Sequence, residues 1–153
     1  MRHKTERGED LFEVSCRAVI FNPDHTKVFL REYDDHSFNI PGGHFEYGES
    51  LDSALRRELH EEIGVEYTGE LIHADFIIYH VERFGIEDKI NLIFVCEMPD
   101  DTEFVFDPSE SRFVIGQRWV PVEEIIKPEF RIYEGIKKVI ARYSESEEKW
   151  AKF

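Results

Sequence analysis

The stretch that most constrains this chain is residues 50–64, where one helical stripe begins apolar and ends acidic. Ser50 is a residue type that caps helix N-termini, and Gly64 supplies the left-handed conformation that helix ends commonly need. Between them Leu51, Ala54, Leu55, Leu59 and Ile63 recur at helical spacing. Glu58, Glu61 and Glu62 are spaced i, i+3 and i+4 and so share a face. At 100° per residue, Glu58 and Glu62 point within about 20° of Leu51, and Leu55 points the same way. A stripe that starts by facing a core therefore ends by turning carboxylates toward it. Like charges at this spacing repel, and ionised groups aimed at an interior are costly. The compensation implied is a cation, and an all-oxygen ligand set favours a hard divalent ion, Mg²⁺ or Mn²⁺. The helix taken alone leaves a second reading open: a solvated face paired with Arg56, Arg57 and nearby lysines.

Around this helix the pattern is one of strands. In residues 12–21, Phe12, Val14, Cys16, Ala18 and Ile20 alternate with Glu13, Ser15 and Arg17, predicting a half-buried strand. A turn rich in Asn, Pro and Asp leads to a second strand at Lys27–Tyr33, and the two read as an antiparallel hairpin. Phe38, Asn39 and Ile40 form a short apolar segment halted by Pro41, Gly42 and Gly43. Residues 72–83 and 89–98 predict two long strands, with a second hairpin connection at residues 84–88. Residues 99–111 predict mostly loop, with a short strand at residues 104–106. Residues 113–120 predict the last strand, and residues 121–124 a helical turn. Phe130, Tyr133, Ile136, Ile140 and Tyr143 mark an amphipathic C-terminal helix. No repeat or linker interrupts the order. Strands, helix, strands, helix predict an α+β fold with helices on the faces of a mixed sheet.

The 153 residues suit one domain (1–153), with its core at about 12–143 and a charged tail at 144–153. Trp150 and Phe153 in that tail could dock on a partner, and a homodimer is compatible with the sequence. The net charge of -14 argues against long nucleic acid and anionic membranes. It leaves a small phosphorylated ligand open, because a bound cation inverts the local field. No apolar run spans a bilayer, and residues 1–10 make a poor signal peptide, so the expected location is cytoplasmic. Cys16 and Cys96 lie in apolar strands and read as buried free thiols.

The glutamates fall inside a larger pattern. Gly43, five residues, Glu49, seven residues, Arg57-Glu58-Leu59, one residue, Glu61-Glu62, one residue, Gly64-Val65 matches the Nudix box at every position. Chance yields such a match on the order of once in a billion windows at ordinary residue frequencies. Pro41-Gly42 before the box, and Trp119-Val120-Pro121 with Glu123-Glu124-Ile125 after it, resemble further landmarks of that family. The resemblance implies an αβα sandwich with a mixed central sheet, the box forming loop-helix-loop. It also implies hydrolysis of small nucleoside diphosphate derivatives, with Mg²⁺ or Mn²⁺ as cofactor and more than one ion per site. Glu58 and Glu62 resemble the principal metal ligands, Glu61 a further ligand, and Gly42 a ligand through its carbonyl. Arg57 and Glu49 resemble the pair that positions the carboxylates.

In this chemistry, divalent ions neutralise the pyrophosphate oxygens and activate water, and a carboxylate accepts its proton during in-line attack. Glu61 or Glu62 could be that base. Outside the box Glu110 is the leading candidate and Glu97 the second. Arg17 and Arg31 are candidates to hold phosphate through guanidinium forks, and His44 to touch the substrate. Phe38 could stack on a base or pack in the core. The family's markers for ADP-ribose or dinucleoside polyphosphates are not found after the box: His80, Val81, Glu82 and Arg83 occupy that window, with Tyr79 off the usual distance. ADP-ribose or another sugar nucleotide therefore competes with nucleoside triphosphates as substrate. RNA 5′ ends are disfavoured for want of a basic groove. A non-catalytic nucleotide-binding sensor is the alternative from a different class.

Overall fold

Two apolar stretches of the sequence, at residues 18–21 and 92–96, lie side by side at the centre of one sheet. In the computed structural model, which describes residues 6–7, 12–80, 88–109 and 112–145, the elements run β1 (Glu13–Phe21), β2 (Lys27–Tyr33), β3 (Phe38–Asn39), β4 (Gly42–His44), α1 (Leu51–Ile63), β5 (Ile72–His80), β6 (Asp88–Glu97), β7 (Val114–Pro121), α2 (Val122–Ile125) and α3 (Glu134–Ser144). β1 and β6 pair in parallel along their length, from Glu13↔Lys89 to Phe21↔Glu97. β5 adds antiparallel to β6, and β7 antiparallel to β2. The sheet is mixed, as expected, and ordered β3-β2-β1-β6-β5, with β4 on β1 and β7 on β2.

Strand alternation divides the core between the two faces. Cys16, Ala18, Ile20, Phe29, Leu92, Phe94 and Cys96 pack against Ala54, Leu55, Leu59 and Ile63 of α1. Val19, Phe21, Val28, Leu30, Ile93 and Val95 pack against Ile136, Val139, Ile140 and Tyr143 of α3. Helices on both faces of a mixed sheet form the α+β sandwich that the element order predicts. Both cysteines are free and buried. Among the described residues no helix is long and apolar enough to cross a membrane.

Several expectations need correction. β1 is not half-buried: Val19 and Phe21 bury on the face opposite Cys16, Ala18 and Ile20 because helices cover both sides. At its start the expected facing is inverted. Val14 is 37% exposed, whereas Ser15 is 5% exposed and donates to Asn91 Oδ1. The first hairpin pairs only at Phe21↔Val28 before its strands part, β1 taking β4 and β2 taking β7. Residues 104–106 are not a strand; Val105 instead donates its N–H to the Ile63 carbonyl at 2.8 Å. α3 starts at Glu134, after Phe130, which stacks on Phe38. Residues 84–87 of the second connection, and the tail from residue 146, lie outside the described residues.

Candidate active site

The loop-helix-loop assembles from local rules. Ser50, in extended conformation, accepts the Ser53 N–H through its side chain, and Ser53 reciprocates, closing a capping box. Gly64 ends α1 in the left-handed conformation. Upstream, β4 lays Gly42 and Gly43 against Arg17 and Cys16 of β1. The approach is close: a Cβ on Gly42 would lie 2.1 Å from the Cys16 carbonyl oxygen, and its φ is +151°. A Cβ on Gly43 would lie 2.4 Å from Glu58 Oε2. The glycines thus let the backbone lie directly beneath the acidic end of α1.

Arg57 ties this loop to the helix. Its Nε and Nη2 donate to the two oxygens of Glu49, each at 2.8 Å, and Nη2 also donates to the His44 carbonyl at 2.9 Å. Its Nη1 donates to Glu58 and to Glu61, each at 3.0 Å. Hydrogen bonds from Arg57 hold the Glu49 carboxyl below the usual range, and Glu49 in turn raises the guanidinium. The paired Glu49 and Arg57 that the sequence suggests are therefore in contact, in a two-pronged geometry that fixes the guanidinium plane.

Glu62 has different partners. Its Oε2 accepts the Gly42 N–H at 2.7 Å and its Oε1 accepts from Arg31 Nη1 at 2.8 Å. Burial pushes its carboxyl up, against the opposing pull of Arg31. The three glutamates share a face, as the spacing requires, but they do not close on one point. Glu58 and Glu61 gather at Arg57 while Glu62 turns to Arg31 and Gly42. Among the described residues no three acidic, His or Cys side chains form a ready cage for a metal. The donor set still fits a hard divalent ion: carboxylate oxygens beneath which the Gly43 backbone passes without a Cβ. Arginines now supply the positive charge that such a cluster needs.

The remaining candidates separate. Arg31 is 6% exposed and bound to Glu62, so it is not laid open for a phosphate. Arg17 donates Nη1 to the Ile40 carbonyl at 2.9 Å. His44 is exposed and paired with Glu13. Glu97 pairs with His25 and sits across from Phe21, four residues along β6 from the Ile93 that faces Arg17. That places it away from the box. Glu110 lies outside the described residues.

One feature escaped the sequence reading. On the α3 face lies a cavity of about 400 Å³, with Tyr33, Phe38, Asn39, Asn91, Arg131 and Tyr133 in its lining. Asn91 is 3% exposed. Its signal was an amide inside the apolar run Ile90-Asn91-Leu92-Ile93, since a polar side chain in a central strand needs a buried reason. Asn39 of this cavity and Gly42 beneath Glu62 are three residues apart, so the segment between them joins the two faces.

A family profile described as NUDIX domain matches residues 11–143. The RNA pyrophosphohydrolase of Escherichia fergusonii is 25% identical over 149 residues, covering 87% of this chain and 85% of its own. Among solved structures, the dihydroneopterin triphosphate pyrophosphohydrolase of E. coli is similar with a TM-score of 0.70 and 17% identity, over 88% of this chain and 97% of that one. The NUDIX domain of Shewanella oneidensis NrtR, complexed with ADP ribose, gives a TM-score of 0.68 and 16% identity, over 94% of this chain and 95% of that one. At these identities the two structures speak for the fold.

Proposed function

The chain belongs to the NUDIX domain family and is a hydrolase of phosphorus anhydrides; on that premise we propose that it cleaves the pyrophosphate linkage of a small nucleotide. The substrate class is ADP-ribose or another sugar nucleotide, or a nucleoside triphosphate. The observation that carries this reading is the intact clamp of Arg57 on Glu49, Glu58 and Glu61 above the glycine turn. Glu58 and Glu62 are the residues that would hold Mg²⁺ or Mn²⁺, with Glu61 and the Gly42 carbonyl as further ligands. Bound there, such ions neutralise the pyrophosphate oxygens and make water a better nucleophile.

The chain's own groups do the rest. Glu49, through Arg57, sets the orientation of the acidic face before substrate arrives, so little reorganisation remains at the moment of reaction. The attacking water gives its proton to a carboxylate as it approaches phosphorus in line with the leaving phosphate. We assign that role to Glu61, which is 52% exposed and thus the most open of the three acids. The cavity on the α3 face takes the part of the substrate beyond the pyrophosphate; its volume and its aromatic and amide lining suit a nucleoside-sized group. The relative's name refers to RNA, but a charge of -14 favours a small substrate over a polyanion.

The test is product release over a panel of sugar nucleotides, nucleoside triphosphates and 5′-triphosphate RNA, with Mg²⁺ or Mn²⁺, in ¹⁸O-water. Label is expected on a phosphate product and never on sugar or base. Tight nucleotide binding with no product across the panel would favour a sensor instead. Preferential turnover of RNA would overturn the small-substrate reading.

A further inference from the structure

A buried arginine needs a reason. Arg31 lies on β2 with its guanidinium against the acidic end of α1, 6% exposed. Full burial of so long a cation is rare unless it is paired, and its loss of hydration is costly. Its partner is Glu62 Oε1 at 2.8 Å, while Oε2 of the same carboxylate accepts the Gly42 N–H at 2.7 Å. Each oxygen therefore has one fixed donor and one remaining acceptor direction. The carboxylate cannot rotate without breaking a charge-assisted bond in a poorly hydrated place.

Gln117 stands beside Arg31. The two residues lie directly across from each other in the pairing of β2 with β7, so their side chains leave the sheet on the same face. Among the described residues, Arg31 Nε and Gln117 Oε1 are both buried without a hydrogen-bond partner, one a donor and the other an acceptor. Gln117 Nε2 donates to the Val105 carbonyl at 2.8 Å, and the Val105 N–H donates to Ile63 at the end of α1. Hydrogen bonds thus tie Gln117, the strand neighbour of Arg31, back to the helix that carries Glu62.

We propose that Arg31 is a positioning residue for Glu62: it holds the carboxylate aligned on the Gly42 N–H so that its outward lone pairs are set to receive a divalent cation. This rests on the reading of Glu62 as a metal ligand. It differs from the expectation that Arg31 grips phosphate, since the guanidinium lies buried against Glu62.

The experiment is titration of the full chain with Mn²⁺ alone, followed by calorimetry or by loss of the free-ion EPR signal. The proteins are wild type, Glu62→Gln, Arg31→Met, Arg31→Lys, and the doubles Glu62→Gln/Arg31→Met and Glu62→Gln/Arg31→Lys. Removing an outer partner of a metal-ligating carboxylate costs about 10- to 100-fold in affinity, so Arg31→Met should weaken Mn²⁺ by that factor. Arg31→Lys should recover part of it by keeping charge and one donor. In the Glu62→Gln background both changes should lose their effect, which a merely structural role would not produce. Mn²⁺ binding by Arg31→Met as tight as wild type, or tighter, would overturn the proposal and make Arg31 a competitor of the metal. If Arg31→Met does not fold, Arg31→Lys decides: a loss that persists unchanged without Glu62 refutes the coupling. Should Glu62→Gln itself bind Mn²⁺ like wild type, the metal-ligand reading has failed, whatever Arg31 does.

Discussion

Replacing Gly43 by alanine tests whether the acidic face must be held to a fraction of an ångström. The added Cβ would stand 2.4 Å from Glu58 Oε2, 2.5 Å from its Cδ and 2.7 Å from Oε1, where ordinary contact begins at 3.4 Å. The carboxylate must therefore retreat by about 1 Å, straining its 3.0 Å bond from Arg57. What the methyl meets is the far end of a flexible side chain, so the fold should tolerate it and the chemistry should not. A displacement of that size costs on the order of 10²-fold in rate where groups must be pre-positioned. Gly42→Ala is the contrasting control. Its Cβ would meet the Cys16 carbonyl at 2.1 Å and the Arg17 Cα at 2.6 Å, at φ +151°, and backbone cannot swing aside. About 3 kcal/mol of destabilisation is expected there, a fall of roughly 6–12 °C in Tm for a domain of this size. Turnover of the best substrate from the panel, Mn²⁺ affinity and thermal melts on both variants make the comparison. If Gly43→Ala kept wild-type turnover, or lost as much Tm as Gly42→Ala, the reasoning would be wrong.

Three further outcomes are expected. Glu58→Gln and Glu62→Gln should each lower turnover by orders of magnitude while still folding, with Glu62→Gln melting lower because it takes the counter-charge from buried Arg31, and a chelator should abolish wild-type activity until Mg²⁺ or Mn²⁺ is restored; near wild-type rates in both variants would refute the ligand assignment. Burial pushes the Cys96 thiol from 9.0 up to about 12, so the native state keeps a proton that the unfolded chain releases. Its stabilising contribution is thus complete below pH 9 and lost as pH rises toward 12, so Tm should fall along this range more steeply in wild type than in Cys96→Ala, and native protein at pH 8 should resist thiol reagents that label it in denaturant. Random duplex DNA should show no tight, salt-sensitive binding at physiological ionic strength, given the charge of -14; such binding would expose a basic patch missed here.

What the sequence by itself determined is what short-range rules govern. The span of α1 follows from Ser50 and Gly64, whose caps need only neighbours within a turn. The shared face of Glu58, Glu61 and Glu62 follows from helical geometry, whereas the contact of Glu49 with Arg57 was legible only through the family resemblance. Tertiary structure alone decided which partner each charge meets. Arg31 and Glu62 are thirty-one residues apart, and nothing in either segment announces that β2 will place a guanidinium under α1. The same holds for Ser15 and Asn91, seventy-six residues apart, which meet because β1 and β6 run in parallel register; this pairing buries Ser15 and leaves Val14 in solvent, against the local alternation. Alternation reports only that successive side chains face opposite ways. Which face is covered, and how far along the strand, depends on helices that arrive from elsewhere in the chain, and so does the identity of the counter-ion for a buried carboxylate.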